Sequence, residues 1–212
     1  MARLEYATRH DRSLGGDLDI DALREETPSS FTVKGMFVAA VATELAPRVW
    51  KELQFKLDAP PRLGRYVPFS DYPVRDFQRV IDALARSRYA HVGTREGFRL
   101  AGRKTFPTFG ESTVGKVMVA VAGSAMTALL KYPDSYNLAA KGGIATAREL
   151  GQTAVRVRWD EYSGSSEFGL GLLEGVILHY GGKPTAHVTV VTNPRSRGQE
   201  AKPGWQEIDI EW

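Results

Sequence analysis

Three arginines, Arg95, Arg99 and Arg103, recur every four residues in REGFRLAGRKTF, which puts three guanidinium groups on one face of a helix. A row of guanidinium groups grips phosphates or carboxylates bidentately, and repels itself unless anions neutralise it. The row therefore reads either as a binding site for an anionic ligand or partner, or as a set of internal ion pairs with acids such as Glu96, Asp71 and Asp82. The four histidines, His10, His91, His179 and His187, include no pair at the three- or four-residue spacing that sets two ligands on one helix face, so no metal site is expected. His179 lies beside Val176 near the end of an apolar run, a setting that suits an axial heme ligand or a cation at a helix C-terminus. His187 alternates with Val188 and shares its face with Thr185 and Thr189, which marks a solvent or interface face. Both join the arginines as candidate ligand or partner contacts, while His91 in RYAHVGT reads as a cap.

Nucleophilic and redox chemistry find little support. The chain has no cysteine, which excludes disulfides, thiolate metal sites and a thiol nucleophile. Ser163, Ser165 and Ser166 in DEYSGSSEFG read as a capping loop, because the strained Gly-x-Ser-x-Gly elbow is absent. Gly110, Gly115 and Gly123 form no phosphate-binding motif, and GLGLLEG leads into an apolar helix without a preceding βαβ unit. Asp160 and Glu161 are neighbours on a strand and face opposite ways, so they share no proton. No residue is assigned a catalytic role and no cofactor is expected. An enzyme with an unrecognised site using His187 or Glu174 is kept as an alternative.

Positioning these side chains falls to a chain of 212 residues, 42% hydrophobic and 25% charged, with a formal charge of +3. That composition suits one soluble domain with a sizeable core. Residues 1–30 are net acidic and broken by Gly15-Gly16 and Pro28, and read as a loosely ordered tail on a single domain over 31–212. The basic excess falls on 31–131, which supports nucleic-acid binding as an alternative if its arginines converge on one surface. The N-terminus has no apolar leader and no stretch is long enough to span a membrane, so a cytoplasmic location is expected.

Helical periods place helices over 31–45, from Pro47 to Leu57, from Pro73 to Tyr89, and over 95–107. A long helix is expected over 114–130, with Met118, Val121, Ala125 and Leu129 on one stripe. After Gly143 the period becomes two. GIATAREL and TAVRVRWDEY form a hairpin, and SEFGLGLLEGVILHY is a helix whose Gly171 and Gly175 offer a face for close packing. TAHVTVV and WQEIDIEW are the last two strands. The expected architecture is α+β, with N-terminal helices packed on a C-terminal four-stranded antiparallel sheet in the order strand-strand-helix-strand-strand. A terminal strand at the sheet edge, ending in Trp212, would suit a homodimer interface.

The phrases SSFTVKGMFV, VWKEL, RYVPFSDYPVRDFQRVI, EGFRLAGRKTF, GLLEGVILHYGGKPTAHVTVV and IDIEW resemble a paralogous family of uncharacterised proteins expanded in myxobacteria, over about residues 31–212. More remotely, residues 143–212 are similar in topology to 4-vinyl-reductase-type domains, TRAPP vesicle-tethering subunits and heme nitric-oxide-binding domains. That resemblance implies a non-catalytic signalling or scaffold module. Such a module binds a protein partner, a second copy of itself, or a small hydrophobic or anionic ligand. The cysteine cluster of the first group and the Tyr-x-Ser-x-Arg heme motif of the last are both missing here.

Overall fold

The computed structural model describes residues 5–8, 18–111, 113–161, 164–191 and 205–212. The chain runs β1 (Glu5–Thr8), α1 (Ile20–Glu26), β2 (Thr32–Lys34), α2 (Gly35–Ala42), α3 (Pro47–Gln54), β3 (Asp71–Pro73), α4 (Val74–Arg88) and α5 (Thr94–Gly110). It continues with α6 (Thr113–Ala122), α7 (Ala125–Leu130), α8 (Tyr132–Ala139), β4 (Ala140–Lys141), β5 (Ile144–Gly151), β6 (Ala154–Asp160), α9 (Ser166–His179), β7 (Thr185–Val191) and β8 (Trp205–Glu211).

The main sheet has the strand order β1-β7-β8-β6-β5. Its four C-terminal strands pair antiparallel as expected, and β1 adds a fifth, parallel to β7. Alternation sorts its two faces. Val155, Val157, Trp159, Ile208 and Ile210 are buried against Leu170, Leu173, Val176 and Ile177 of α9. On the other face Arg156 bridges Glu207 and Asp209, Arg158 pairs with Asp160, and the Arg158 guanidinium lies 4.4 Å from the Trp205 ring centre. A second apolar cluster joins α1 to α5, with Val38, Val41, Val80, Ile81, Leu84 and Phe98 at its centre. Phe168, at the start of α9, belongs to that helical cluster, so α9 ties the two cores together.

Five expectations change. The run from Phe31 does not start as a helix: Thr32–Lys34 is the middle strand of a small sheet, β3-β2-β4, closed by Lys34 and Lys141 on Asp71. The helix expected to stop near Pro107 continues to Gly110. The helix expected over 114–130 is two helices, because Gly123 adopts φ +69° and the Ser124 hydroxyl caps α7 by accepting from the Thr127 N–H. Val121 accordingly leaves the stripe and is 66% exposed, while Ala125 and Leu129 are buried. The segment expected as a loose tail contains, in its described part, β1 and the helix α1, whose Ile20 joins the helical core. Finally, β8 is an interior strand. Trp212 is no edge residue: its N–H donates to the Thr153 carbonyl, and its ring packs over Gly182.

Candidate functional site

The arginine row lies along α5, and α9 runs against that helix because glycines remove the side chains between them. A Cβ at Gly171 would sit 1.9 Å from the Arg99 carbonyl oxygen, at Gly102 2.2 Å from that of Phe168, and at Gly175 2.5 Å from that of Arg103. The close packing expected at Gly171 and Gly175 is present, with Gly102 as the matching gap on α5.

At that approach the arginines meet two acids of α9. Glu174 is fully buried and accepts from Arg99 Nε at 2.9 Å and Nη2 at 2.5 Å, and from Arg103 Nη2 at 2.7 Å. Arg95 pairs with Glu167, which also accepts from the Ser165 hydroxyl, and Arg99 reaches Glu96 at 3.3 Å. Burial works against the Arg99 charge. The hydrogen bonds and charge of Glu174, with help from Glu96, outweigh it and hold this guanidinium above its ordinary value. The internal-pair reading of the row therefore holds, with different partners: Glu96 as expected, but Glu167 and Glu174 in place of Asp71 and Asp82. Asp71 binds Lys34 and Lys141, and Asp82 binds Arg86. Glu174, weighed in the sequence as a residue of an unrecognised enzyme site, is the hub of this network.

The other candidates lie apart from it. His179 ends α9 on an exposed surface, its ring edge-on to Phe106 and Tyr180. His187 stands opposite Asp209 in the β7–β8 register, and its side chain lies outside the described residues, as do His10 and Ser163. His91 occupies an exposed 3-10 turn over Ala90–Val92. Ser165 caps α9 as expected, accepting from the Phe168 N–H at 3.1 Å.

Sequence reasoning missed a polar group inside the helix–sheet core. Gln206 is 1% exposed on the packed face of β8, opposite Trp159 of β6, and neither its Oε1 nor its Nε2 has a hydrogen-bond partner among the described residues. Tyr132 of α8 meets the Trp159 ring edge-on with centroids 5.6 Å apart, and Tyr136 donates to the Gly142 carbonyl at 3.2 Å. Burial pushes the Tyr136 hydroxyl up to about 12 and the Tyr132 hydroxyl further still. Both phenols are neutral at physiological pH, and their folded-state values lie above the unfolded one. They contribute stability that is complete below about pH 10 and is lost as pH rises through the folded values. Alkaline unfolding followed by tyrosinate absorbance is expected to release these two hydroxyls together with the fold. Their ionisation near pH 10 without loss of secondary structure would contradict their burial.

Solved structures share this fold. An oxygen-binding H-NOX domain related to soluble guanylate cyclases matches with a TM-score of 0.60 and 16% identity, over 84% of this chain and 91% of that one. A mutant of T. Tengcongensis H-NOX matches at 0.59 and 18%, covering 84% and 96%. An H-NOX protein from S. oneidensis in the Fe(II)NO ligation state matches at 0.57 and 15%, covering 84% and 98%. Identities this low establish the fold, and they bear out the resemblance to heme nitric-oxide-binding domains.

They also overturn the expectation of no cofactor: one match, at 0.60 and 17% identity, is a structure in which protein-induced porphyrin distortion modulates heme redox potential. Heme is thus a group the residues must be tested against. Heme iron takes His, Cys, Met or Tyr ligands. Among the described residues the two histidine side chains, His91 and His179, are exposed outside the helix–sheet interior, Tyr136 already donates to the Gly142 carbonyl, and Tyr132 lies edge-on against Trp159. The arginines that would meet propionates already serve Glu167 and Glu174. These histidines, tyrosines and arginines do not assemble an axial ligand with a cationic clamp around it.

No curated protein matches the chain. The family model for a protein of unknown function, DUF2378, matches residues 27–198. On that span, most of both cores and the whole α5–α9 network included, the chain belongs to the DUF2378 family.

Proposed function

We propose that this chain is a non-catalytic cytoplasmic signalling module that holds a small, largely apolar ligand in its helix–sheet core and passes the bound state to a protein partner or a second copy of itself. The observation that carries this reading is Gln206. An amide buried with neither atom satisfied costs about 1–3 kcal/mol, and folded proteins rarely leave such a group without a reason. A ligand with one hydrogen-bonding end and an apolar body would satisfy the amide while lying against Trp159, Tyr132 and Leu170. The fold shared with H-NOX domains adds support. The anionic-ligand version loses ground, since the arginine row serves α9. The nucleic-acid alternative loses ground along α4, where Arg79 pairs with Asp58 and Asp76, Arg86 with Asp82 and Arg88 with Glu44.

The test is native mass spectrometry of freshly purified protein with an absorbance scan, followed by titration with hemin and with a fluorescent fatty acid. A retained mass or saturable binding of the fatty acid is expected, weakened by Gln206→Leu; a Soret band would show instead that the core accepts heme. The same substitution is expected to stabilise the ligand-free protein by about 1–3 kcal/mol, because it removes an unsatisfied amide from an apolar site. A protein that carries nothing and binds neither probe overturns the reading, as does a Gln206→Leu variant that binds both probes as tightly as the parent.

A further inference from the structure

A second surface, formed by residues 51–70, combines unpaired cations with exposed apolar tips. Lys51, Lys56, Arg62 and Arg65 are all exposed and have no acidic partner among the described residues. The acids of the segment are already engaged, Glu52 by Arg48 at 3.3 Å and Asp58 by Arg79 at 2.9 Å. The same segment carries Phe55, 86% exposed, Phe69, 67% exposed, and Val67, 45% exposed. Phenylalanines left that open are uncommon on a soluble domain, and here they are clustered within fifteen residues of chain.

The segment is held in place. Asp76, buried at the start of α4, accepts from the Asp58 and Ala59 N–H groups at 2.9 and 2.8 Å, which pins the turn after α3. Tyr66 packs on Trp50 of α3 and on Tyr72 of β3, with centroids 5.8 and 4.8 Å away. Those ring contacts, with the Val67 N–H donating to the Tyr72 hydroxyl at 3.1 Å, anchor the 65–67 stretch beside α3. The Met36 N–H donates to the Pro68 carbonyl and the Gly35 N–H to the Ser70 carbonyl, fixing the loop that presents Phe69.

We infer that this surface docks the protein peripherally on an anionic lipid bilayer, with Phe55, Val67 and Phe69 entering the headgroup region and the four cations meeting lipid phosphates. Charge complementarity and the chemistry of the tips carry the choice. Net positive charge without internal partners is attracted to an anionic leaflet. Phenylalanine and aliphatic tips between basic residues suit the interface between headgroups and acyl chains. Single-stranded nucleic acid would call for ring faces stacked along a groove. Here one phenylalanine stands at a helix end and the other in a loop, with exposed Pro60, Val67 and Pro68 among them.

The test is co-sedimentation of the full chain with vesicles of phosphatidylcholine mixed with phosphatidylglycerol, against vesicles of phosphatidylcholine alone, at low and high salt. Binding is expected only where the anionic lipid is present, weaker in salt. Lys56→Glu with Arg65→Glu, and separately Phe55→Ser with Phe69→Ser, are each expected to lower the partition coefficient by about tenfold or more. Both double variants change exposed side chains, so an unchanged thermal midpoint confirms that each is folded. Equal binding to the two kinds of vesicle, no binding, or variants that partition like the parent overturns the proposal. Displacement from the vesicles by a single-stranded oligonucleotide that binds more tightly also overturns it, in favour of nucleic acid.

Discussion

Glu174→Gln is expected to lower the thermal midpoint by about 10 °C. The substitution keeps the shape and one acceptor oxygen but removes the charge that faces Arg99 and Arg103 across the α5–α9 seam. Separating a buried ion pair by neutralising one partner costs about 3–5 kcal/mol, because the remaining charge stays desolvated. Each kcal/mol moves the midpoint of a domain this size by about 2–4 °C. Arg103 is partly exposed and can turn its guanidinium to water, whereas Arg99 is buried and cannot, so most of the loss falls on Arg99. Replacing Arg99 and Glu174 together by methionine should recover most of the loss, since an apolar pair of similar volume does not strand a charge. Asp82→Asn is the contrast: it breaks the Arg86 pair on an open helix face and should change stability by about 0.5 kcal/mol or less. Calorimetry or denaturant titration of these variants beside the parent checks the order. A Glu174→Gln protein within about 2 °C of the parent would mean that α5 and α9 are held by packing alone.

Why the network was legible only in part follows from where its halves lie. The helical spacing of Arg95, Arg99 and Arg103 is a local property, and so is the need of three like charges for neutralisation. Their main partners are 71 to 75 residues away, beyond a break in period and a β-hairpin, so no spacing rule points to them. Gly171 and Gly175 could be read as a packing face because their four-residue spacing is local too. Gly102, the complementary gap, has Phe98 and Phe106 four residues to either side, so no local glycine spacing marks it.

Two other features carried a signal that the local reading passed over. Strand alternation in WQEIDIEW puts Gln206 on the same face as Ile208 and Ile210, and Trp205 on the opposite one. The polar residue is thus in register with the core, while the large apolar Trp205 belongs to the face that carries Arg158. The Gly123-Ser124 pair marks a stop and a cap, and Pro133 marks the start of α8. The apolar character of 114–130 masked both, because valine and alanine suit an uninterrupted helix as well as two short ones. What no single-sequence pattern contains is the interior position of β8. A terminal strand looks like an edge, yet β8 inserts between β6 and β7 and pairs antiparallel with both.

Gly171→Val should be the most damaging change to the fold, and Gly171→Ala the more informative one. In an ordinary helix position glycine to alanine stabilises by about 1 kcal/mol, through the backbone entropy of the unfolded chain. At Gly171 the added methyl would stand 1.9 Å from the Arg99 carbonyl oxygen and 2.8 Å from the Arg103 amide nitrogen, both backbone atoms of α5 that no rotamer change can move. The helices must separate, which lengthens the Arg99–Glu174 bonds and opens the seam that joins the two cores. Overpacking against rigid neighbours typically costs about 1–3 kcal/mol, and here it adds to the loss of the buried pair, so about 3 kcal/mol or more is expected for alanine. Valine adds two more methyl groups to the same gap and should leave little folded protein. Gly110→Ala supplies the control within α5: its new methyl would meet only the Val119 side chain at 3.6 Å, an ordinary contact, and should be neutral or stabilising. Hydrogen exchange along α5 and α9 distinguishes the mechanisms. Loss of protection in both helices with the sheet intact is the signature of a parted seam. A Gly171→Ala protein as stable as the parent would show that the seam yields without cost, and would remove the physical basis for treating α5 and α9 as one rigid unit.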